Sequence, residues 1–435
     1  MNKFRYILLI MLLLAAALYV TAQTNGSNSP YSRFGLGSLS DQSQGFNKAM
    51  SGLSLGFREG NRINMQNPAS YSAIDSLAFI FDVGMSLQNA NFKNGGKSVN
   101  AYNTTLDYVN AAFRLRPGLG FSLGFVPYST IGYKYSSDSK YLNDHFQTGT
   151  AMYYTNTYTG DGGLHQIYMG VGWNPVGALS LGVNVGYLWG TYNESIRQTF
   201  YEGTTESTSN NGLQRKVEAN LSSYKIDLGV QYPIHIGNNV LTPGITYGIG
   251  HTLNSTAHCY EFQANSDTIP THIPKAFDLP TSFGVGIAWA HGKQWTVGVD
   301  VTHQLWSKCH IPQIIDDQFV SIANYQDRTK IIIGGEFQPD RQSRKYLRRV
   351  QYRLGASYTT PYYKIDGHDS PREFSLSAGF GLPITNNINS RSAINVSFQW
   401  VKAAPSRSTM ITENYLRLNI GLTFNERWFM KWKIQ

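Results

Sequence analysis

The feature that most constrains this chain is an alternation with a period of two, clearest at residues 415–424. Leu416, Leu418, Ile420, Leu422 and Phe424 are apolar, while Arg417, Asn419, Gly421 and Thr423 between them are polar or small. Successive strand side chains point to opposite faces, so one face must meet an apolar medium and the other a wet one. A soluble sandwich could produce such a segment once. Here it recurs from residue 76 onward, with segments separated by turn residues. That is the pattern of a transmembrane β-barrel with lipid outside and a polar lumen inside. An open sheet would leave unpaired backbone groups in hydrocarbon, so the final segment is expected to pair with the first and close the barrel.

Composition agrees. Only 14% of the 435 residues are charged, while Gly (42), Tyr (28) and Phe (22) are abundant. Small residues suit crowded strand faces and aromatics suit interfacial girdles. The formal net charge of +9 is spread along the chain, which argues for loop and lumen charge and against a nucleic-acid surface. Residues 1–22 read as a cleaved secretory signal: Lys3 and Arg5, then an apolar core, then Val20-Thr21-Ala22. The expected address is therefore the outer membrane of a Gram-negative bacterium, reached by the general secretory pathway. There the chain would contact outer-membrane lipid and lipopolysaccharide.

Residues 23–75 differ in character from the strand-forming region. They are rich in Ser, Gly and Asn, with a few apolar anchors, and are too few to bury a core alone. Placed before the first strand, they are expected to fold into the lumen as a hatch. Residues 76–425 then carry about fourteen antiparallel strands, an even number as expected when both ends lie on the periplasmic side. Expected strands include 76–92, 105–116, 119–129, 164–173, 179–192, 221–232 and 241–253. Seven more lie near 283–289, 295–306, 329–337, 350–358, 374–382, 394–401 and 415–424. Short turns at 117–118, 174–177 and 291–293 alternate with long loops at 130–161, 193–217, 254–278 and 312–327. Short turns belong at the periplasm and long loops outside the cell. Residues 426–435 would form a periplasmic tail. Pro127 cannot donate to a ladder and is expected to kink its strand.

Period-two bookkeeping places Asp82, Arg114, Lys225, Asp227, Asp300, Glu336, Arg349, Arg353 and Arg417 on the lumen face. A lysine or arginine on the lipid face near the midplane would cost about 2–4 kcal/mol. These charges either line a water path, hold the hatch, or satisfy one another across a packed lumen. Their mixed sign argues against a simple ion-selective pore. Asn67, Pro68, Ala69 and Ser70 form either a turn into the first strand or a latch within the barrel. Cys259 follows His258 and Cys309 precedes His310. A disulfide between outer loops is the ordinary reading in an oxidising compartment, with a zinc site or free thiols as alternatives. Gly284 and Gly286 lack the strand-then-helix context of a nucleotide loop. No catalytic constellation stands out, and neither a metal nor a cofactor is expected.

Several stretches together resemble the FadL/TodX family of outer-membrane transporters. They are Asn67-Pro68-Ala69 before the first strand, Gly124 to Tyr128 with its Pro127-Tyr128 end, and Leu279-Pro280 through Gly284-Val285-Gly286, followed by Trp295, Asp300 and Trp306. The Gln23 start, Ser29 to Gly35 and Asn425 to Phe429 resemble Bacteroidetes members. The resemblance implies a fourteen-stranded barrel, a lumen hatch in which Asn67 to Ser70 act as the latch, and passive uptake of small hydrophobic molecules such as fatty acids or aromatic compounds. Some barrels of this kind in that phylum resemble instead the barrel subunit of a secretion translocon. The alternative is therefore a scaffold that anchors outer-membrane proteins or surface lipoproteins.

Overall fold

The computed structural model describes residues 28–137, 140–142, 152–202, 205–206, 213–262, 270–315, 318–322, 325–365, 367–384 and 392–427. The signal segment and most of the carboxyl tail expected from the sequence lie outside them. Fourteen long antiparallel strands form the wall: β1 (Ala78–Asn94), β2 (Lys97–Arg116), β3 (Leu119–Ser136), β4 (Met152–Val176), β5 (Leu179–Glu202), β6 (Gln214–Gln231) and β7 (Asn239–Gly248). They continue as β8 (Ser282–His291), β9 (Trp295–Gln304), β10 (Arg328–Phe337), β11 (Gln351–Thr359), β12 (Arg372–Pro383), β13 (Ala393–Ala404) and β14 (Thr412–Arg427). Each pairs with its sequence neighbours, and β14 pairs with β1 from Ala78–Arg427 to Lys93–Thr412, closing the barrel.

The alternation read from β14 holds in space. Asn419, Gly421, Thr423 and Asn425 are buried inside, while Leu416, Ile420 and Leu422 are exposed on the outer wall. Leu376, Phe398, Trp400, Ile331 and Ile333 continue that outer apolar surface. Strand existence follows the period, but strand length does not. β2 was expected from residue 105 and begins at Lys97; β4 was expected from 164 and begins at Met152. A span needs about ten tilted residues, and β4 has 25. Beyond the hydrocarbon the outer face no longer has to be apolar, so the pattern fades while the hydrogen-bond ladder continues. The expected single strand 241–253 is likewise broken. β7 ends at Gly248, and a separate piece, Asn254–Phe262, pairs with the outer half of β6.

Residues 28–77 occupy the lumen. Their helical turns are short: Pro30–Arg33, Gly45–Lys48 and Pro68–Ala73. What holds them is the wall. Phe46, Met50, Leu53 and Phe57 pack with Ala288 and Ile332, and Ile63, Met65, Tyr71 and Ile74 pack with Ala78, Ile80, Tyr108, Ala112, Val126 and Tyr168. At the long-loop end a further apolar cluster gathers Leu36 with Tyr128, Leu164, Tyr192, Phe277, Trp306 and other residues, roofing the lumen.

Candidate functional site: a plugged lumen with an open seam

The plug is seated through glycines. A Cβ at Gly182 would overlap the Pro68 backbone, at Gly244 the Leu55 carbonyl, at Gly355 the Met50 backbone, and at Gly120 the Tyr71 carbonyl. Inward glycines on separated strands thus let plug backbone lie directly on the wall. Asn67 to Ser70 sit here, all buried. Asn67 Oδ1 accepts from Ala69 N (3.2 Å) and caps the Pro68–Ala73 turn, while its Nδ2 donates to Leu55 O (2.8 Å) and Val230 O (3.3 Å). Tyr71 OH donates to Asn184 Oδ1 (3.1 Å), whose amide donates to Met65 O (2.9 Å). Arg58 donates to Ala69 O and Ser72 Oγ, and burial lowers its guanidinium pKa to about 10.

Several inward charges read from the sequence engage the plug. Asp300 Oδ2 accepts from Ser54 N (2.6 Å) and Leu55 N (2.8 Å). Glu336 accepts from Arg62 of the plug (2.8 Å) and from Arg353 (2.6 Å), which also donates to Asn395 (2.6 Å) and Gln351 (2.5 Å). Lys225 and Asp227 pair with each other, and both face the cavity described below. Arg114 shares the inward parity of Asn110 and Ala112, at the short-turn end, and donates to Arg116 O (3.2 Å). Arg349 lines a small pocket with Phe46 and Arg62 of the plug and Arg353 of the wall, but it does so from a four-residue helix, Tyr346–Arg349, in the turn before β11, so strand parity is not what places it.

Pairing of residues 415–424 with the first strand would bring the inward Asp82 and Arg417 near one another, but in the structure they do not meet. Asp82 is level with Thr423, whose hydroxyl donates to it (3.0 Å), and Arg417 is level with Gln88, to whose Oε1 it donates (2.6 Å). Six residues of strand separate the two levels, about 20 Å. The reason is that β14 extends to Arg427 and sets the register there. The expected disulfide is also not formed. Cys259 and Cys309 are free thiols in the roof cluster, with Cys309 Sγ donating to Leu305 O (3.7 Å). Burial pushes Cys259 up to about 11. Burial, with Asp278 and Asp327 nearby, pushes Cys309 up to about 12. His258 stacks edge-on against His272, and His310 Nδ1 lies 3.0 Å from Asp278.

The wall is incomplete beside Pro127. Pairing between β2 and β3 runs from Arg116–Leu119 to Val109–Phe125 and stops, although both strands continue outward. Past Pro127 the register with β4 shifts, Tyr128 becomes an extra residue, and inward parity flips from even to odd positions. Such an edge would leave backbone groups unpaired at membrane depth. The plug pairs with part of the β3 edge: Ser38–Leu39 runs antiparallel to Thr130 and Ser129, and Ser40 N donates to Tyr128 O (2.9 Å). On the other side of the seam β2 carries its own bulge at Asp107, opposite Gly84–Met85. Lys48 of the plug reaches that residue at 2.9 Å.

A cavity of about 1150 Å³ lies behind the seam. Its lining joins plug residues (Asp41, Gln42, Lys48) to residues of the outer, lipid-facing wall (Met85, Leu106). Asp41 is half-buried at the cavity wall, and partial desolvation opposes its ionisation, yet Lys330 (3.9 Å) and then Lys48 hold its carboxyl below the usual carboxylate range. The glycine seats, the Asp107 bulge and the Ser38–Leu39 strand were not identified from sequence. Inward-parity glycines at matching heights on several strands were the available signal for the first.

A family model described as BamG matches residues 3–435. The chain belongs to the BamG family. Its fold is that of the FadL/TodX-type barrels. The CymD monoaromatic hydrocarbon channel matches with a TM-score of 0.56 at 14% identity, covering 88% of this chain and 97% of that one. A Pseudomonas aeruginosa FadL homologue matches at 0.60 and 11%, covering 88% and 98%. The P. putida toluene transporter TodX matches at 0.56 and 15%, covering 92% and 100%. At these identities the likeness carries the architecture alone. No curated protein sequence matches this BamG-family chain.

Proposed function

We propose that this protein is an outer-membrane conduit for the passive uptake of small hydrophobic molecules. The observation that carries the reading is the cavity lined at once by plug and lipid-facing residues, at the place where β2 and β3 part. A conduit through the full lumen would need the plug to leave. A sideways exit needs only the seam, because an apolar molecule is favoured by passing from the cavity straight into hydrocarbon. In this reading Asn67 to Ser70 and Asp300 keep the plug seated, while Lys48 and Asp107 tie its upper part to the seam. The solved structures of similar fold include channels for toluene and other monoaromatic hydrocarbons, which supports that ligand class here.

Titrating the purified protein with an alkylbenzene, followed by aromatic fluorescence or calorimetry, should show saturable binding that Met85→Arg together with Leu106→Arg abolishes. Non-saturable partition identical in the variant would contradict the reading. A second reading, a barrel that anchors other outer-membrane proteins, is favoured by one observation: the model spanning residues 3–435 is described as BamG and not as a channel. A native pull-down distinguishes the two, by recovering a stoichiometric protein complex or the barrel with a small apolar ligand.

A further inference from the structure

The turn between β10 and β11 is unlike its neighbours at the same end of the barrel. It carries Arg341, Arg344, Lys345, Arg348 and Arg349 against one acid, Asp340. That acid is engaged within the turn, its Oδ1 accepting from Gln342 N (2.9 Å). Arg344, Lys345 and Arg348 are exposed, and among the described residues none of the three has an acidic partner. Between them stand two exposed apolar side chains, Tyr346 (43%) and Leu347 (71%).

The turn is ordered and lies against the outer wall. Asp340 N donates to Arg348 O (2.8 Å), and Gln338 Nε2 donates to Arg349 O (2.7 Å). Tyr352, on the outer face of β11, donates through its hydroxyl to Leu347 O (3.1 Å). Tyr346 OH donates to Pro383 O (3.3 Å). Tyr352 belongs to a band of outward aromatics at this end, with Phe380 at 5.8 Å and with Trp295 stacked on Phe337 at 4.2 Å. Such a band marks the level at which hydrocarbon gives way to headgroups. Leu347 therefore stands at the interface, with three unpaired cations beside it.

We propose that this turn is a binding site for anionic phospholipid headgroups of the leaflet on the short-turn side. A cation at a membrane surface is attracted to anionic lipid within about a Debye length. Lysine and arginine stems can lie along the apolar surface while their heads meet phosphate. Leu347, in the acyl boundary, holds the cations at that depth. Bound lipid fastens the barrel beside the β10–β11 hairpin, whose inner face carries Glu336 and Arg353, the residues that engage Arg62 of the plug.

The test is native mass spectrometry of the full chain in detergent, supplied with phosphatidylglycerol or phosphatidylcholine of the same acyl chains. The wild type should retain phosphatidylglycerol preferentially. Replacing Arg344, Lys345 and Arg348 together by glutamine should cut that retention about tenfold or more and leave phosphatidylcholine unchanged, with the heat-modifiable gel shift confirming a folded barrel. Should the triple variant not fold, raising the salt concentration on wild type serves: phosphatidylglycerol should be released and phosphatidylcholine kept. Equal retention of the two lipids by wild type, undiminished phosphatidylglycerol on the folded variant, or salt-insensitive retention would overturn the proposal. So would capture of an acidic soluble protein by this turn without lipid preference.

Discussion

At the scale of single residues, the inner wall divides into charges that grip and glycines that admit. Gly182 lies against the Pro68 backbone, so Gly182→Val forces the latch turn away from β5. We expect about 1–3 kcal/mol of lost stability and protease cleavage within residues 28–75 of the folded protein; an uncut plug in that variant would contradict the seat. The inward positions of Asp82, Lys225, Asp227, Asp300, Glu336, Arg353 and Arg417 were legible in the sequence because parity assigns a face wherever a strand is regular. Arg349 also lines a pocket with plug residues, but from a helical turn where the period does not apply. What each charge binds was not legible. The Asp300 contacts with Ser54 and Leu55 join residues about 245 positions apart, and no local pattern encodes them. The cysteines illustrate the same limit, since sequence puts both near the outer ends of strands but cannot say which way they face. Both thiols are buried with raised pKa values. Folded protein at pH 8 should resist alkylation and unfolded, non-reduced protein should label at both; labelling at neither after unfolding would mean a bridge.

At the scale of elements, register decides what meets. Asp82 belongs with Thr423 and Arg417 with Gln88, so Asp82→Asn and Arg417→Gln should act independently. A double-mutant cycle read from thermal unfolding should close within about 0.5 kcal/mol, and a larger coupling would place the closing strand in another register. The number of strands was legible because each crosses the same apolar slab. Their lengths and bulges were not. Past the hydrocarbon the ladder persists without an apolar face, as in Met152–Val176. Pro127 signalled its own kink, because a missing donor is visible in one letter. The bulge at Asp107 had no such marker, and it is the element to which the plug's Lys48 is tied.

At the scale of the molecule, a closed barrel, a lumen plug, an apolar roof and the lapse in the wall between β2 and β3 form a single arrangement. The apolar roof packs across the long-loop end, and the plug packs against the wall nearer the other end. The cavity between them reaches the outer wall at the β2–β3 seam. The sequence carried the barrel and hinted at the seam through Pro127, but the roof depends on loops whose packing follows no period. Uptake by this route therefore requires the seam to be a path. The direct test is transfer of an alkylbenzene into proteoliposomes bearing Thr105→Cys and Thr130→Cys, one on each side of the seam. The native thiols are buried and should not compete for the reagent. A short, reducible bifunctional thiol reagent should stop transfer when it bridges the pair, and reductant should restore it. Transfer unchanged by a verified bridge would contradict the account.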